Sequence, residues 1–415
     1  MAWWHGRRVA AAPRSDLFDA LVHAPDRDRC RGARGVLSFR LDDEPAYLAA
    51  LESHACLRVD LERRGRWHGR LALLTRPESG GPSYRERWRE ARPILFTGAL
   101  AGALPSLAEE LGRARALHAA LPRAGALRRW LGRPGRLPEG FRLLPGGPRP
   151  ADPERDLERA GVARDGGPGD LWLKGGRLST HPDDASLRLR VSAGREGADD
   201  ALADPERLAA VAELGRGALP AGAVLGAAPE LFRAVEELAG TPLLATQPIA
   251  YWNAPQGGAL FHHDAFDEPP EDRQRGVLFA QLAGRTAWLA LSIGDLAERV
   301  REFGEALAAG ELPWVAGALD DPEQLVPLLA DGAGLLRELA LPGCGRLAGL
   351  VNQGPDFTCL LADAGHAFVL EPGDALLLPN HGYARTAMHS VFCASDGLTY
   401  GLSFALRRDG AQGLC

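Results

Sequence analysis

The chain has 415 residues, 46% of them hydrophobic and 25% charged, an ordinary globular composition with material for two domains or one elaborated domain. Its net charge of −6 argues against a protein that grips nucleic acid through its overall field, and no apolar run approaches the roughly 20 residues of a membrane span. Six cysteines with no C-x-x-C pair suggest neither a zinc knuckle nor a disulfide scaffold, and with no apolar stretch after Met1 they point to free thiols in the cytoplasm.

In chain order, the apolar runs Gly35–Phe39 and Arg70–Leu74 read as strands. Ser106 and Glu109 form a capping box, and Leu107, Leu111, Ala114 and Leu121 then recur at helical spacing until Pro122, with Leu127–Leu131 continuing the pattern. Glycine, proline and arginine crowd residues 132–150, and Gly166–Gly169 repeats that texture, marking a boundary or an extended connector. Asp-Pro-Glu at 152, 204 and 321 is helix-start chemistry: an N-cap carboxylate, then proline at the first helical position.

Leu187–Ser192 alternates as a half-buried strand, and helices follow over about 205–214 and 229–239, the second stopped by Gly240. Strand texture covers 248–252, 260–264, 277–282 and 286–292. Residues 295–342 revert to helix: Asp295 caps a stripe of Leu296, Val300, Phe303 and Leu307 closed by Gly310, and a second helix carries Leu325, Leu328 and Leu329. Strands resume from Gly349 and continue to Arg407. The divisions are a mixed α/β region (1–150), connector strands and helices packing on the core (151–244), and a strand-rich domain (245–415) with a helical insert (295–342).

Chemistry concentrates in the last division. Residues 262–264 read His-His-Asp, and His389 follows 125 positions after Asp264 (389 − 264). Side chains alternate along a strand, so His262 and Asp264 share one face while His263 points away. With His389 they can occupy one face of an iron octahedron and leave the other positions open, as in non-haem iron oxygenases. Zinc also accepts this donor set, and a zinc hydrolase is the rival. His381 competes as third ligand, but it sits beside Asn380 and Gly382 in a loop, whereas Met388-His389-Ser390-Val391 enters a strand. The His-x-His of plain metal-binding cupins is absent.

The order of motifs is His262-x-Asp264, Gly284-Arg-Thr-Ala-Trp288, Pro372-Gly-Asp-Ala-Leu-Leu-Leu-Pro379, His389 and the strand Gly397–Arg407. This resembles the JmjC/cupin-like branch of the Fe(II)- and 2-oxoglutarate-dependent oxygenases, of the asparaginyl-hydroxylase and ribosomal-oxygenase types, over roughly residues 245–407. The resemblance implies an α+β protein with a double-stranded β-helix (jelly-roll) core. It implies Fe(II) on His262, Asp264 and His389, 2-oxoglutarate as cosubstrate, and hydroxylation of a peptide or protein side chain or of a biosynthetic small molecule.

One departure stands out. The family anchors the far carboxylate of 2-oxoglutarate with a basic residue where this chain has Thr286, and alternation aims the adjacent Arg285 at the opposite face. Lys174 is the only lysine, so the replacement has to be arginine, hydroxyl or backbone amide. Ser403 matches the inward polar residue of the last strand and Arg407 shares its parity, so Arg407 with Thr286 is the expected clamp. Arg275, in the long loop Asp267–Arg275, is a further candidate, and Asn253 is expected to face the cavity. Two other classes stay open: a metal-dependent cupin enzyme that does not use 2-oxoglutarate, and a non-catalytic jelly-roll binding module. The N-terminal region fits peptide recognition or a homodimer contact; neither nucleic acid nor membrane is expected as partner.

Overall fold

The structure, a computed structural model, describes residues 56–63, 66–74, 84–146, 155–181, 184–195, 204–265, 274–308, 325–353 and 355–409. The strand expected at Gly35–Phe39, the Asp-Pro-Glu openings at 152 and 321, Gly310, and the loop from Asp267 to Arg273 lie outside these residues.

The N-terminal elements are a hairpin, β1 (Cys56–Arg63) and β2 (Arg66–Leu74), then α1 (Tyr84–Arg89), β3 (Ile94–Phe96), α2 (Ala108–Ala120), α3 (Ala126–Leu131) and β4 (Phe141–Leu143). There follow β5 (Asp156–Arg164), β6 (Leu171–Arg177), β7 (Leu187–Ala193), α4 (Pro205–Ala218) and α5 (Pro229–Ala239). Strands β8 (Leu243–Trp252), β9 (Gly258–His262), β10 (Gly276–Ala283) and β11 (Thr286–Ser292) lead into α6 (Ile293–Ala308), α7 (Leu325–Ala330), α8 (Gly332–Leu339), α9 (Ala348–Gln353) and α10 (Pro355–Asp363). The chain closes with β12 (Ala367–Leu370), β13 (Ala375–Pro379), β14 (Ala387–Cys393) and β15 (Tyr400–Arg408).

Three sheets result, all of antiparallel pairs: the β1-β2 hairpin, a nine-stranded sheet in the order β3-β13-β10-β15-β8-β7-β6-β5-β4, and a four-stranded sheet in the order β12-β11-β14-β9. Alternation explains the layers. On β10, Leu278, Ala280 and Leu282 join a core that also holds Leu189, Trp252, Leu402 and residues of α2 to α5, while Val277 and Phe279 face the other way. On β11, Trp288 and Ala290 meet Phe279 in the interior, while Ala287, Leu289 and Leu291 pack outward on the helices of the insert. Both sheets are therefore covered on two faces, which is why β11 and β14 are buried at every position. Each such Leu, Phe or Val contributes about 1.5–3 kcal/mol by leaving water.

Several local expectations are met and others change. Asp204 caps α4, its carboxylate accepting from the amides of Glu206 and Arg207, with Pro205 next. Gly240 ends α5 in the left-handed region (φ 67°). The Ser106 capping box does not form: its hydroxyl donates to the Ala103 carbonyl, and α2 grows out of a 3-10 turn at Leu104–Leu107. Asp295 is not a cap either. Ser292 accepts the Asp295 amide, which frees that carboxylate for a two-pronged pair with Arg92 at 2.9 and 3.0 Å.

The largest correction is at Gly349. Strands were expected to resume there, yet α9 and α10 carry the insert on to Asp363, and the next strand starts at Ala367. Leu347, Leu350, Val351, Phe357, Leu360 and Leu361 recur at helical spacing and are buried against Phe303 and Phe261, a period that the glycine content obscures. Likewise Gly166–Gly169 is the turn joining β5 to β6 within the large sheet, and the cluster after Gly132 contains β4. Among the described residues no helix is long and apolar enough to cross a membrane.

Candidate metal centre

Strand register delivers the candidate ligands. His389, on β14, pairs with Ala290 of β11 on one side and with His262 of β9 on the other. Between these pairs and the next, Val391 with Ala259, β9 has two residues (Leu260 and Phe261) where β14 has only Ser390. This is a β-bulge, and it resets the alternation so that Ala259 and His262 both face inward. Gly258 opens the strand because a Cβ there would lie 2.0 Å from the Val391 carbonyl oxygen.

One ligand atom each from His262, Asp264 and His389 come within 4.8 Å of one another. The His389 Nε2 is 3.8 Å from an Asp264 carboxylate oxygen, and the two imidazole centroids are 4.1 Å apart. Donors about 2.1 Å from a metal at right angles sit about 3 Å apart, so closing this set on an ion takes about an ångström of movement. The His262 Nδ1–H donates to the Leu260 carbonyl at 2.7 Å, which leaves Nε2 as its ligand atom. Burial first, then the neighbouring His262 and His263, push the His389 pKa well below its ordinary 6.5, so this imidazole is neutral and ligand-ready. Two imidazoles and one carboxylate are a donor set compatible with iron.

The rivals sit elsewhere. His381 gives its Nε2 to the Trp88 carbonyl at 2.6 Å and meets the Trp88 ring edge-on. His263 points out of the cavity: its Nδ1 accepts from the Ala265 amide, so its Nε2–H donates to the Ala340 carbonyl, tying this segment to the insert. Behind the triad the wall is apolar, with Trp288 stacked on His389 (centroids 5.5 Å, 29°) and Phe279 edge-on to Trp288.

The expected clamp does not assemble. Gly276, at one end of β10, pairs with Leu406, while Ala283 at the other end pairs with Tyr400. Arg407 follows Leu406 and Thr286 follows Ala283, so they lie at opposite ends of an eight-residue strand, roughly 20 Å apart. Thr286 is also engaged: its hydroxyl donates to the Gln281 side-chain carbonyl at 2.7 Å and accepts from the Trp288 indole at 2.8 Å. Arg407 is buried at the same end as Arg275, whose amide donates to the Leu406 carbonyl, and as Gln274, whose side chain donates to the Asp264 carbonyl. Asn253 is buried just past β8, its carbonyl accepting from Thr399 at the Ala283 end.

Sequence reasoning missed Tyr251 as a site residue. Its phenol bonds Ser403, and burial, with the Asp264 charge second, raises its pKa above 10 against the pull of Arg188 and Arg190. It therefore stays protonated beside the triad. Arg188 is its register partner on β7, so both side chains share the sheet's inner face. The available signal was parity: Trp252 is core, so Tyr251 must face the cavity.

No protein-family profile matches the chain, and no curated protein matches it by sequence. Among solved structures, it is similar to the ribosomal oxygenase YcfD from Escherichia coli, with 15% identity over 63% of this chain and 42% of that one, at a TM-score of 0.20. A second structure of that protein, in complex with cobalt and 2-oxoglutarate, matches at 16% identity over 52% of this chain and 31% of that one (TM-score 0.18). A third, with cobalt and succinic acid, matches at 15% over 67% and 50% (TM-score 0.20). The chain thus spans half or less of the length of these structures.

Proposed function

We propose that this chain is an Fe(II)- and 2-oxoglutarate-dependent oxygenase that hydroxylates a peptide or protein side chain or a small molecule. The observation that carries the reading is the convergence of His262, Asp264 and His389 against an apolar wall. The scaffold we infer is a double-stranded β-helix. Its support is that β8 to β15 cross repeatedly between two facing sheets, as β13-β10-β15-β8 and β12-β11-β14-β9, with Phe279, Trp288, Leu376 and Val391 packed between them.

His262, Asp264 and His389 would hold Fe(II), and the chemistry a bound Fe(II) supplies is activation of oxygen with 2-oxoglutarate as electron donor. The rest falls to the chain. One carboxylate against a divalent ion leaves a net positive site, which favours an anionic chelating cosubstrate. The phenol of Tyr251, held by Ser403, donates into that space, and Arg188 on the same sheet face supplies positive charge for a carboxylate. Arg407 remains a candidate for the same role from the metal end of β15. Trp288, Phe279 and Val391 keep the cavity poor in water, which strengthens every charge interaction within it.

The test is succinate formation from 2-oxoglutarate by Fe(II)-loaded protein in air, without added substrate. Slow turnover that Asp264→Ala abolishes is expected; none in the wild type would remove 2-oxoglutarate from the reading. One observation favours a second reading, a metal-dependent enzyme on this scaffold without that cosubstrate: Thr286 is consumed by Gln281 and Trp288, where the family pattern calls for a basic anchor.

A further inference from the structure

The bulge that aims His262 leaves several backbone groups outside the β9–β14 ladder, and buried groups of this kind need partners. Four of them can be followed. The Ala259 carbonyl accepts from the Ser390 hydroxyl at 3.1 Å and from the Arg63 guanidinium. The Leu260 carbonyl accepts from His262 itself. The Phe261 amide donates to the Asn352 side-chain oxygen at 2.7 Å, and the Phe261 carbonyl accepts from the Cys344 thiol at 3.7 Å. Arg63 also donates to Ser390 Oγ at 3.0 Å and lies 4.1 Å over the Phe392 ring.

Three of these partners come from segments outside the two sheets: Cys344 on the 3-10 turn Pro342–Leu347 of the insert, and two strong donor or acceptor side chains, Arg63 and Asn352. Arg63 ends β1 of the N-terminal hairpin and is 3% exposed; Asn352 lies on α9 of the insert and is 5% exposed. Ser390 and Phe392 point outward from β14, so Arg63 stands behind the sheet, on the side opposite His389. We propose that Arg63 and Asn352 are positioning residues for the metal centre, fixing the Leu260–Phe261 bulge so that His262 faces His389 and Asp264. This rests on the metal reading above. The hairpin and the insert would then be parts of the site, reaching it through one strand from two sides.

The test is Co(II) affinity and Co(II) visible absorption of the full chain, wild type against Arg63→Ala, Arg63→Lys, Asn352→Ala and Asn352→Asp. Removing an outer partner of a ligand typically weakens metal binding about 10- to 100-fold, and that loss with a changed band shape is expected for Arg63→Ala and Asn352→Ala. Asn352→Asp keeps the acceptor and should restore affinity to within a few-fold of wild type; Arg63→Lys should fall between. Arg136→Ala breaks a partly buried pair with Glu110 (3.1 Å), remote in sequence from the triad, and as a stability control should keep wild-type affinity. Should Arg63→Ala fail to fold, the two Asn352 variants decide alone. Folded Ala variants with wild-type affinity and spectrum would overturn the proposal while leaving the metal site intact. A wild type that binds no Co(II) would instead sink the metal reading beneath it.

Discussion

At the scale of residues, the triad and its surroundings make different demands. Asp264 is the sole charged donor and its side chain is 39% exposed, so it supports binding more than packing. Asp264→Ala is expected to weaken Fe(II) or Co(II) binding at least about 100-fold with little change in Tm, checked by metal titration and thermal unfolding. Thr286 is the reverse case. Thr286→Val strands the Gln281 side-chain oxygen and the Trp288 indole, each an unpaired buried group costing about 1–3 kcal/mol. Its Tm should drop by several degrees while metal affinity holds. Loss of 2-oxoglutarate binding at unchanged Tm would return Thr286 to the clamp. His262, Asp264 and His389 were legible because a period of two and a distant imidazole are written in sequence order. The clamp was not, because parity says which face a residue takes and nothing about which end of a strand it reaches.

At the scale of elements, β9 shows the limit of alternation. Strict alternation from Ala259 would turn His262 outward, and only the bulge opposite Ser390 brings it in. The sequence places no obvious signal there besides Gly258. The insert shows a different limit: α9 and α10 were hidden by glycines at 345, 349, 354 and 365, while α6 was plain from Leu296, Val300 and Phe303. Next to α6, His366 has its pKa pushed down to about 4, by burial first and by Arg299 and Arg92 next, with Asp295 opposing. Between pH 6.5 and about 4 the unfolded chain carries a proton here that the folded chain refuses. Stability from this residue is therefore complete above 6.5, is lost as pH falls, and levels off below about 4, with a slope of at most about 1.4 kcal/mol per unit. Denaturant melts of wild type and His366→Leu across that range should show the wild type alone losing this increment.

At the scale of the whole molecule, the nine-stranded sheet ties early and late sequence together. Its outer core runs from Trp88 and Ile94 through Leu189 and Trp252 to Leu402 and Leu406. The full chain is accordingly expected to unfold in one calorimetric transition, whereas residues 245–415 alone, which leave β8 without β7 and Trp252 without its cover, should not fold; a separate stable fragment would contradict this. Within that frame the sheets hold three donors against an apolar wall, and the central claim is that these donors bind iron with 2-oxoglutarate. The measurement that tests it most directly is an anaerobic titration of the apo-protein with Fe(II) and then 2-oxoglutarate, followed by visible absorption, with Asp264→Ala alongside. A weak charge-transfer band that saturates in the wild type and is missing from the variant is the predicted result. Iron binding without a band would contradict the cosubstrate, and no iron binding at all would contradict the metal centre itself.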